Sequence, residues 1–269
     1  MKIEETFLCG KENNPATCED GIFISEYIVA VIDGVTAKGH RLWDGKSSGC
    51  FAKNCLIEYL EKNDVKNLQS AELFSTLDEV LATKVKEIGE PIAVEDFPRA
   101  SIIVYNDIFH EIWSYGDCQC RINDIIYSHV KKIDQINEEI RAKKLEECIA
   151  NGYSIEDLLK NDVGRIAIQE NLMKQFSYEN KLEPYGYPVL NGKGIEPQFI
   201  TKYKVKPNDT VILASDGYPK LGKNLEESEN ILEDILKRDP LCFRKYRCTK
   251  GVKPGNVSFD DRVFCKINV

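Results

Sequence analysis

Tyr27-Ile-Val-Ala-Val-Ile-Asp33-Gly34 and Thr210-Val-Ile-Leu-Ala-Ser-Asp216-Gly217 end in the same way. In each, an apolar run of β-forming residues passes straight into Asp-Gly. A buried strand followed by Asp-Gly sets a carboxylate on the rim of a sheet, and the glycine lets the backbone turn sharply or approach a ligand closely. One such ending reads as an ordinary turn. Two of them, with further acids nearby, read as a site.

Working outward, residues 22–25 (Ile-Phe-Ile-Ser) form a short β-rich run with almost no gap before 27–32, which predicts a tight antiparallel hairpin. Glu19-Asp20 opens its first strand, so the hairpin sets Asp20 roughly opposite Asp33. Asp260-Asp261 precedes a closing strand at 262–267, and in an antiparallel sheet the start of one strand lies beside the end of its neighbour. The acids at 19–20, 33, 216 and 260 are therefore expected on one edge. Gathering carboxylates there is costly unless a cation neutralises them. Hard oxygen donors without His or Cys select Mg²⁺ or Mn²⁺. Two such ions ~3.5–4 Å apart can share a water, lower its pKa and orient a phosphoryl group for in-line attack.

Between these strands the periodicity predicts helices over 47–61 and 70–88, the second ended by Gly89 and Pro91. A meander of strands follows at 100–105, 111–115, 118–122 and 125–129. Residues 131–150 read as a charged helix, 154–176 as one or two more, and 183–198 as a Gly- and Pro-rich loop. Strands at 200–205 and 210–214, a helix at 225–237 and the closing strand complete the chain. Nothing reads as a linker or a repeat. A single α+β layered domain over 1–269 is expected, its first and last strands meeting in the sheets.

Composition narrows the function. The net charge of -8, with scattered Lys and Arg, argues against a nucleic-acid partner, and leaves a phosphate-handling protein in need of a local cation. Ten cysteines without a C-x-x-C pair read as buried free thiols rather than a zinc site, with Cys118 and Cys120 on one strand face. His40, His110 and His129 are isolated from one another and read as ordinary surface or strand residues. The N-terminus lacks the apolar core of a signal peptide, and no run approaches the ~20 apolar residues that span a bilayer. A cytoplasmic protein without membrane contact is expected. Gly45-Lys-Ser-Ser48 is no phosphate-binding loop, because His40 stands where that motif needs glycine.

The ordered set Glu19-Asp20, Val31-Ile-Asp-Gly34, Tyr115-Gly-Asp117, Ala214-Ser-Asp-Gly217 and Asp260-Asp261 resembles the metal-dependent serine/threonine phosphatases of the type 2C family, in a divergent bacterial form. The resemblance runs from about residue 6 to 268. It implies a four-layer α-β-β-α sandwich, two antiparallel sheets flanked by helices, with two Mn²⁺ or Mg²⁺ ions at one end and room for a third. It implies hydrolysis of phosphoserine and phosphothreonine in a phosphoprotein substrate, with Asp33, Asp216 and Asp260 catalytic. By position, Asp33 bridges both ions, the Gly34 carbonyl binds one, and Asp216 and Asp260 complete the other. Glu19 and Asp20 act through metal-bound waters, and Asp117 serves the third, weaker ion. Arg99-Ala-Ser101 stands at the family's Gly-Ser-Thr strand entry, and about 131–195 form the variable helical segment beside the site, a candidate for substrate choice.

Departures accompany the likeness. Val35 replaces the histidine that serves as leaving-group acid, and Pro15 replaces the arginine that grips phosphate, with Lys11, Lys38 and Arg41 as candidate substitutes. Lys220 stands where many members carry an acid, and reads as a solvated lysine before a phosphate contact. Two competing readings follow: a non-catalytic phosphatase-like binding or regulatory module, and a phosphatase of small phosphorylated metabolites.

Overall fold

A strand that is apolar on both faces has to be covered on both, and the two strands that end in Asp-Gly are. The structure is a computed structural model describing residues 1–269. Its strands are β1 (Lys2–Cys9), β2 (Asp20–Ile24), β3 (Ile28–Gly34), β4 (Ala100–Asn106), β5 (Glu111–Tyr115), β6 (Gln119–Ile122), β7 (Ile125–Tyr127), β8 (Thr201–Lys204), β9 (Thr210–Ala214) and β10 (Arg262–Asn268). Its helices are α1 (Ser48–Lys62), α2 (Ser70–Glu87), α3 (Lys132–Ala150), α4 (Ile155–Lys160), α5 (Val163–Ala167), α6 (Gln169–Lys174) and α7 (Leu225–Arg238). The strands form two five-stranded sheets, ordered β1-β10-β9-β6-β7 and β2-β3-β4-β5-β8. Every pairing is antiparallel.

Strand parity explains the layering. Even positions of β3, Ile28, Ala30 and Ile32, pack with Leu56 of α1 and Phe74 and Leu77 of α2. Odd positions, Val29 and Val31, meet Val211 and Leu213 of β9 and Val263 and Cys265 of β10 across the gap between the sheets. Asp33 continues the odd series, so its side chain belongs to the inter-sheet face where the strand runs out. On the far face of the first sheet, Ile212, Ala214 and Phe264 pack with Tyr218 and Leu221, and Leu225 at the start of α7 joins them. The result is the expected four-layer α-β-β-α sandwich.

The helices α3, α4 and α5 share a smaller core with the 241–243 segment through Ala142, Leu145, Leu158, Leu241 and Phe243. Arg141, fully buried, staples this unit together: its guanidinium donates to Asp162 Oδ2 at 3.1 and 2.7 Å and to the carbonyls of Leu241, Cys242 and Cys248.

One strand has no counterpart among the expected elements, and one expectation needs correction. The strand β1 lies on the edge of its sheet, pairs with β10 and alternates exposed with half-buried positions. Its charged residues therefore hide it from any search for apolar runs. Residues 154–176 hold three short helices and the start of a 3₁₀ turn instead of one or two helices, because each piece is capped separately, by Ser154 and by Asp162 for the first two. All ten cysteines are free, and Cys118 and Cys120 share the inter-sheet face, although Cys9, Cys148 and Cys248 are only half-buried. No helix is long and apolar enough to cross a membrane.

Candidate metal centre

Register brings the acids together. In the hairpin of β2 and β3, Asp20 lies directly opposite Asp33, and Asp33 in turn lies opposite Ser101 of β4. Ser101 Oγ donates to Asp117 Oδ1 at 2.5 Å, so the acid after β5 is tied to the same edge. From the other sheet, Ser215 extends β9 by one residue, since its amide donates to the Val263 carbonyl and its Oγ accepts from the Val263 amide. Asp216 thus emerges beside the turn that carries Asp260. Gln119 fixes this exit by donating to the carbonyls of Ser215 and Tyr218.

The two glycines after the aspartates serve close approach. A Cβ on Gly34 would stand 2.3 Å from the Gly49 carbonyl oxygen at the start of α1, and one on Gly217 would stand 2.0 Å from the Asp261 carbonyl oxygen. Both contacts are to backbone, so neither neighbour can give way. The α1 N-terminus is built into the site as well: the N-cap Ser47 accepts from the Cys50 amide and donates to Glu19 Oε1 at 2.7 Å.

Asp33, Asp117, Asp216 and Asp260 face a cavity of about 390 Å³, with Glu19 and Asp20 buried behind them. The predicted site residues are therefore gathered at one end of the sandwich. What the sequence reading missed is their counter-ions. Lys131 Nζ pairs with Asp117 Oδ2 at 2.6 Å, and Lys250 Nζ pairs with Asp260 Oδ2. Lys11 Nζ bridges Glu19 Oε2 at 2.8 Å and Asp261 Oδ2 at 3.0 Å, and lies 3.8 Å from Asp260 Oδ1. Asp261 also accepts from the amides of Lys11 and Glu19, which makes it the clasp between the chain's two ends. Of the candidate basic residues, Arg41 is turned to Glu90 and is no part of the cavity. Lys220 is exposed but stands on the cavity wall, and His129, hydrogen-bonded to the Tyr203 hydroxyl, lines it too.

Asp20, Asp33 and Asp216 have no cation within ion-pairing distance, and Asp20 Oδ2 is buried without any hydrogen-bond partner. Burial, then Asp260, pushes the Asp20 carboxyl well above the usual range. Burial and then Asp20 and Asp216 do the same to Asp33, while burial with Asp260 and Asp117 pushes Asp216 up to about 7. For Asp117 and Asp260 burial acts upward as well, but Lys131 in the first case and Lys250 with Lys11 in the second outweigh it and hold both low. An all-oxygen set of buried and half-buried carboxylates with an orphaned acceptor suits a hard divalent cation. No three acidic, His or Cys groups yet converge at ligating distance. By donor chemistry Asp20, Asp33 and Asp216 suit such an ion, while lysine ammonium groups satisfy the flanking Asp117 and Asp260.

No protein-family model matches the sequence, and no curated protein matches it. Solved structures do match. The catalytic domain of the serine/threonine protein phosphatase PstP, in complex with two manganese ions, superposes with a TM-score of 0.52 at 13% identity, over 98% of this chain and 97% of that one. The Mycobacterium tuberculosis PstP structure gives 0.51 at 13% identity with the same coverage. A serine/threonine phosphatase from Staphylococcus aureus gives 0.51 at 15% identity, over 100% of this chain and 96% of that one. At such identities the likeness is one of architecture: over nearly its whole length this chain has the fold of the bacterial metal-dependent serine/threonine phosphatases.

Proposed function

We propose that this chain is a metal-dependent phosphoric monoester hydrolase acting on phosphoserine and phosphothreonine in proteins. The observation that carries the reading is the trio Asp20, Asp33 and Asp216, carboxylates without counter-ions: Asp33 and Asp216 line an open cavity, and Asp20, its Oδ2 orphaned, is buried behind them opposite Asp33. Asp33, the Gly34 carbonyl, Asp216 and Asp260 would hold two Mn²⁺ or Mg²⁺ ions, with Glu19 and Asp20 reached through water and Asp117 at a third position. Bound there, the ions would supply a water of lowered pKa and neutralise phosphoryl oxygens.

The chain's own residues do the rest. Ser101 orients Asp117, Lys11 and Ser47 hold Glu19 between them, and Lys131 and Lys250 present positive charge to an incoming phosphate. Those same two lysines favour a second reading, a non-catalytic phosphatase-like module, since an ammonium group on Asp117 and on Asp260 does the neutralising work of an ion. Mn²⁺ calorimetry, with p-nitrophenyl phosphate and phosphopeptide turnover with and without metal, separates the two. The enzyme reading expects metal-dependent turnover that Asp33→Asn abolishes while circular dichroism shows the fold retained. Tight Mn²⁺ binding without turnover of any phosphoester selects the module, and retained turnover in Asp33→Asn removes the proposed site. A metabolite panel beside the phosphopeptides decides between protein and small-molecule substrates.

A further inference from the structure

Lys38, in the loop after β3, and Arg165, on α5, line one wall of the acidic cavity. Both also line an adjoining hollow of about 270 Å³, whose other walls are Ala37, Ile166, Leu172 and Met173 with Gln169. Every other lysine or arginine on the acidic cavity is either paired to a carboxylate, as Lys131 and Lys250 are, or exposed, as Lys220 is. Lys38 and Arg165 are half-buried and have neither recourse. The Lys38 ammonium donates only to the Thr36 carbonyl at 2.9 Å, and the Arg165 guanidinium only to the Thr249 carbonyl at 2.9 Å. Asp134 on α3 is the carboxylate that most influences Lys38, and Asp162, then Asp134, are those that act on Arg165; neither lies within ion-pairing distance of Lys38 or Arg165, and Asp162 is paired with Arg141.

Two half-buried cations without a counter-ion are unfavourable in isolation, because each is desolvated and their charges repel. Burial, then Arg165 and Lys250, push the Lys38 ammonium down to about 7. An anion bound between them reverses both costs, and phosphate matches the arginine fork and the lysine point charge together. Lys11, the lysine nearest the acids from the N-terminal segment, is already committed to Glu19 and Asp261.

We propose that Lys38 and Arg165 form a clamp for the phosphate of the substrate monoester, with the apolar hollow taking the organic group next to it. The identity of the ligand as a substrate rests on the phosphatase reading; the anion-binding chemistry does not. The test is a titration of the metal-free protein with inorganic phosphate and with phenyl phosphate, followed by amide chemical shifts in segments 34–38 and 163–173. Saturable shifts in both segments are expected, with phenyl phosphate binding more tightly. Lys38→Met and Arg165→Met should each weaken phosphate binding roughly tenfold or more, as expected for loss of a charge-assisted hydrogen bond, and Arg165→Lys should retain most of it. Lys38→Met, on a loop, guards against a folding defect at Arg165. Phosphate affinity unchanged in both Met variants overturns the clamp, and equal affinity for the two anions overturns the role of the hollow. Wild-type protein that binds phosphate through Lys38 yet turns over no phosphoester with Mn²⁺ supports the clamp and removes the phosphatase reading. Turnover with unaltered phosphate binding and KM in Lys38→Met does the reverse.

Discussion

Replacing Asp216 by Asn should stabilise the metal-free protein while removing its response to metal. The carboxyl of Asp216 rises from an ordinary value of 3.8 to about 7 in the fold, through burial first and then Asp260 and Asp117. An acid whose folded value lies above its unfolded one holds its proton more tightly when folded, so ionisation costs stability as pH rises. The cost is absent below about pH 4, grows across the window between the two values, and is constant above about pH 7. About three decades of proton affinity correspond to roughly 4 kcal/mol at full ionisation. Water in the open cavity and the sharing of protons among neighbouring acids reduce this to about 1–3 kcal/mol. Asparagine keeps the shape and loses the charge, so thermal unfolding in chelator near pH 8 should show a midpoint raised by roughly 2–8 °C. Near pH 4 the difference should vanish. Excess Mn²⁺ should then raise the wild-type midpoint and leave that of Asp216→Asn in place. A variant less stable than wild type in chelator near pH 8, or one with an undiminished Mn²⁺ response, would refute the picture of an uncompensated acid waiting for a cation.

Lys250→Met should tighten Mn²⁺ binding about tenfold, because it removes the ammonium that holds Asp260, and lower metal-free stability by about 1–2 kcal/mol through the partly buried carboxylate left behind. Weaker Mn²⁺ binding by calorimetry would show that Lys250 supports the ion instead of competing with it. Arg141→Met strands Asp162 and three carbonyls around a fully buried position; a loss of about 3–5 kcal/mol is expected, with limited proteolysis cutting first within 132–178. Gly34→Ala forces a methyl against the Gly49 carbonyl oxygen. It should cost at least about 2 kcal/mol in chemical denaturation and weaken Mn²⁺ binding, whereas a neutral outcome would mean the β3–α1 junction is looser than its contacts require.

The acids of this site were legible because each is a local fact of the chain. Asp33 and Asp216 follow uninterrupted apolar strands, and the short gap between residues 25 and 27 already dictates that Asp20 opposes Asp33, as the register shows. Parity does the remaining work, since Val29 and Val31 have to face the other sheet and Asp33 follows them. The lysines were not legible for the converse reason. Lys11 meets Asp261 across 250 positions of chain, Lys131 meets Asp117 only after the β6–β7 hairpin has turned, and Arg165 reaches the cavity on a five-residue helix that sits where Gly164 lets it pack on Arg141 and Leu145. Those positions depend on tertiary packing, which leaves no periodic trace. The two kinds of residue are nevertheless linked energetically. A rim of buried carboxylates costs the metal-free fold several kcal/mol unless cations approach it, so acids that local pattern reveals imply counter-charges that it does not. In this chain lysines meet that need at Asp117 and Asp260 and leave it unmet at Asp20, Asp33 and Asp216. That division makes the trio, more than the full set of acids, the place where a metal ion has most to offer.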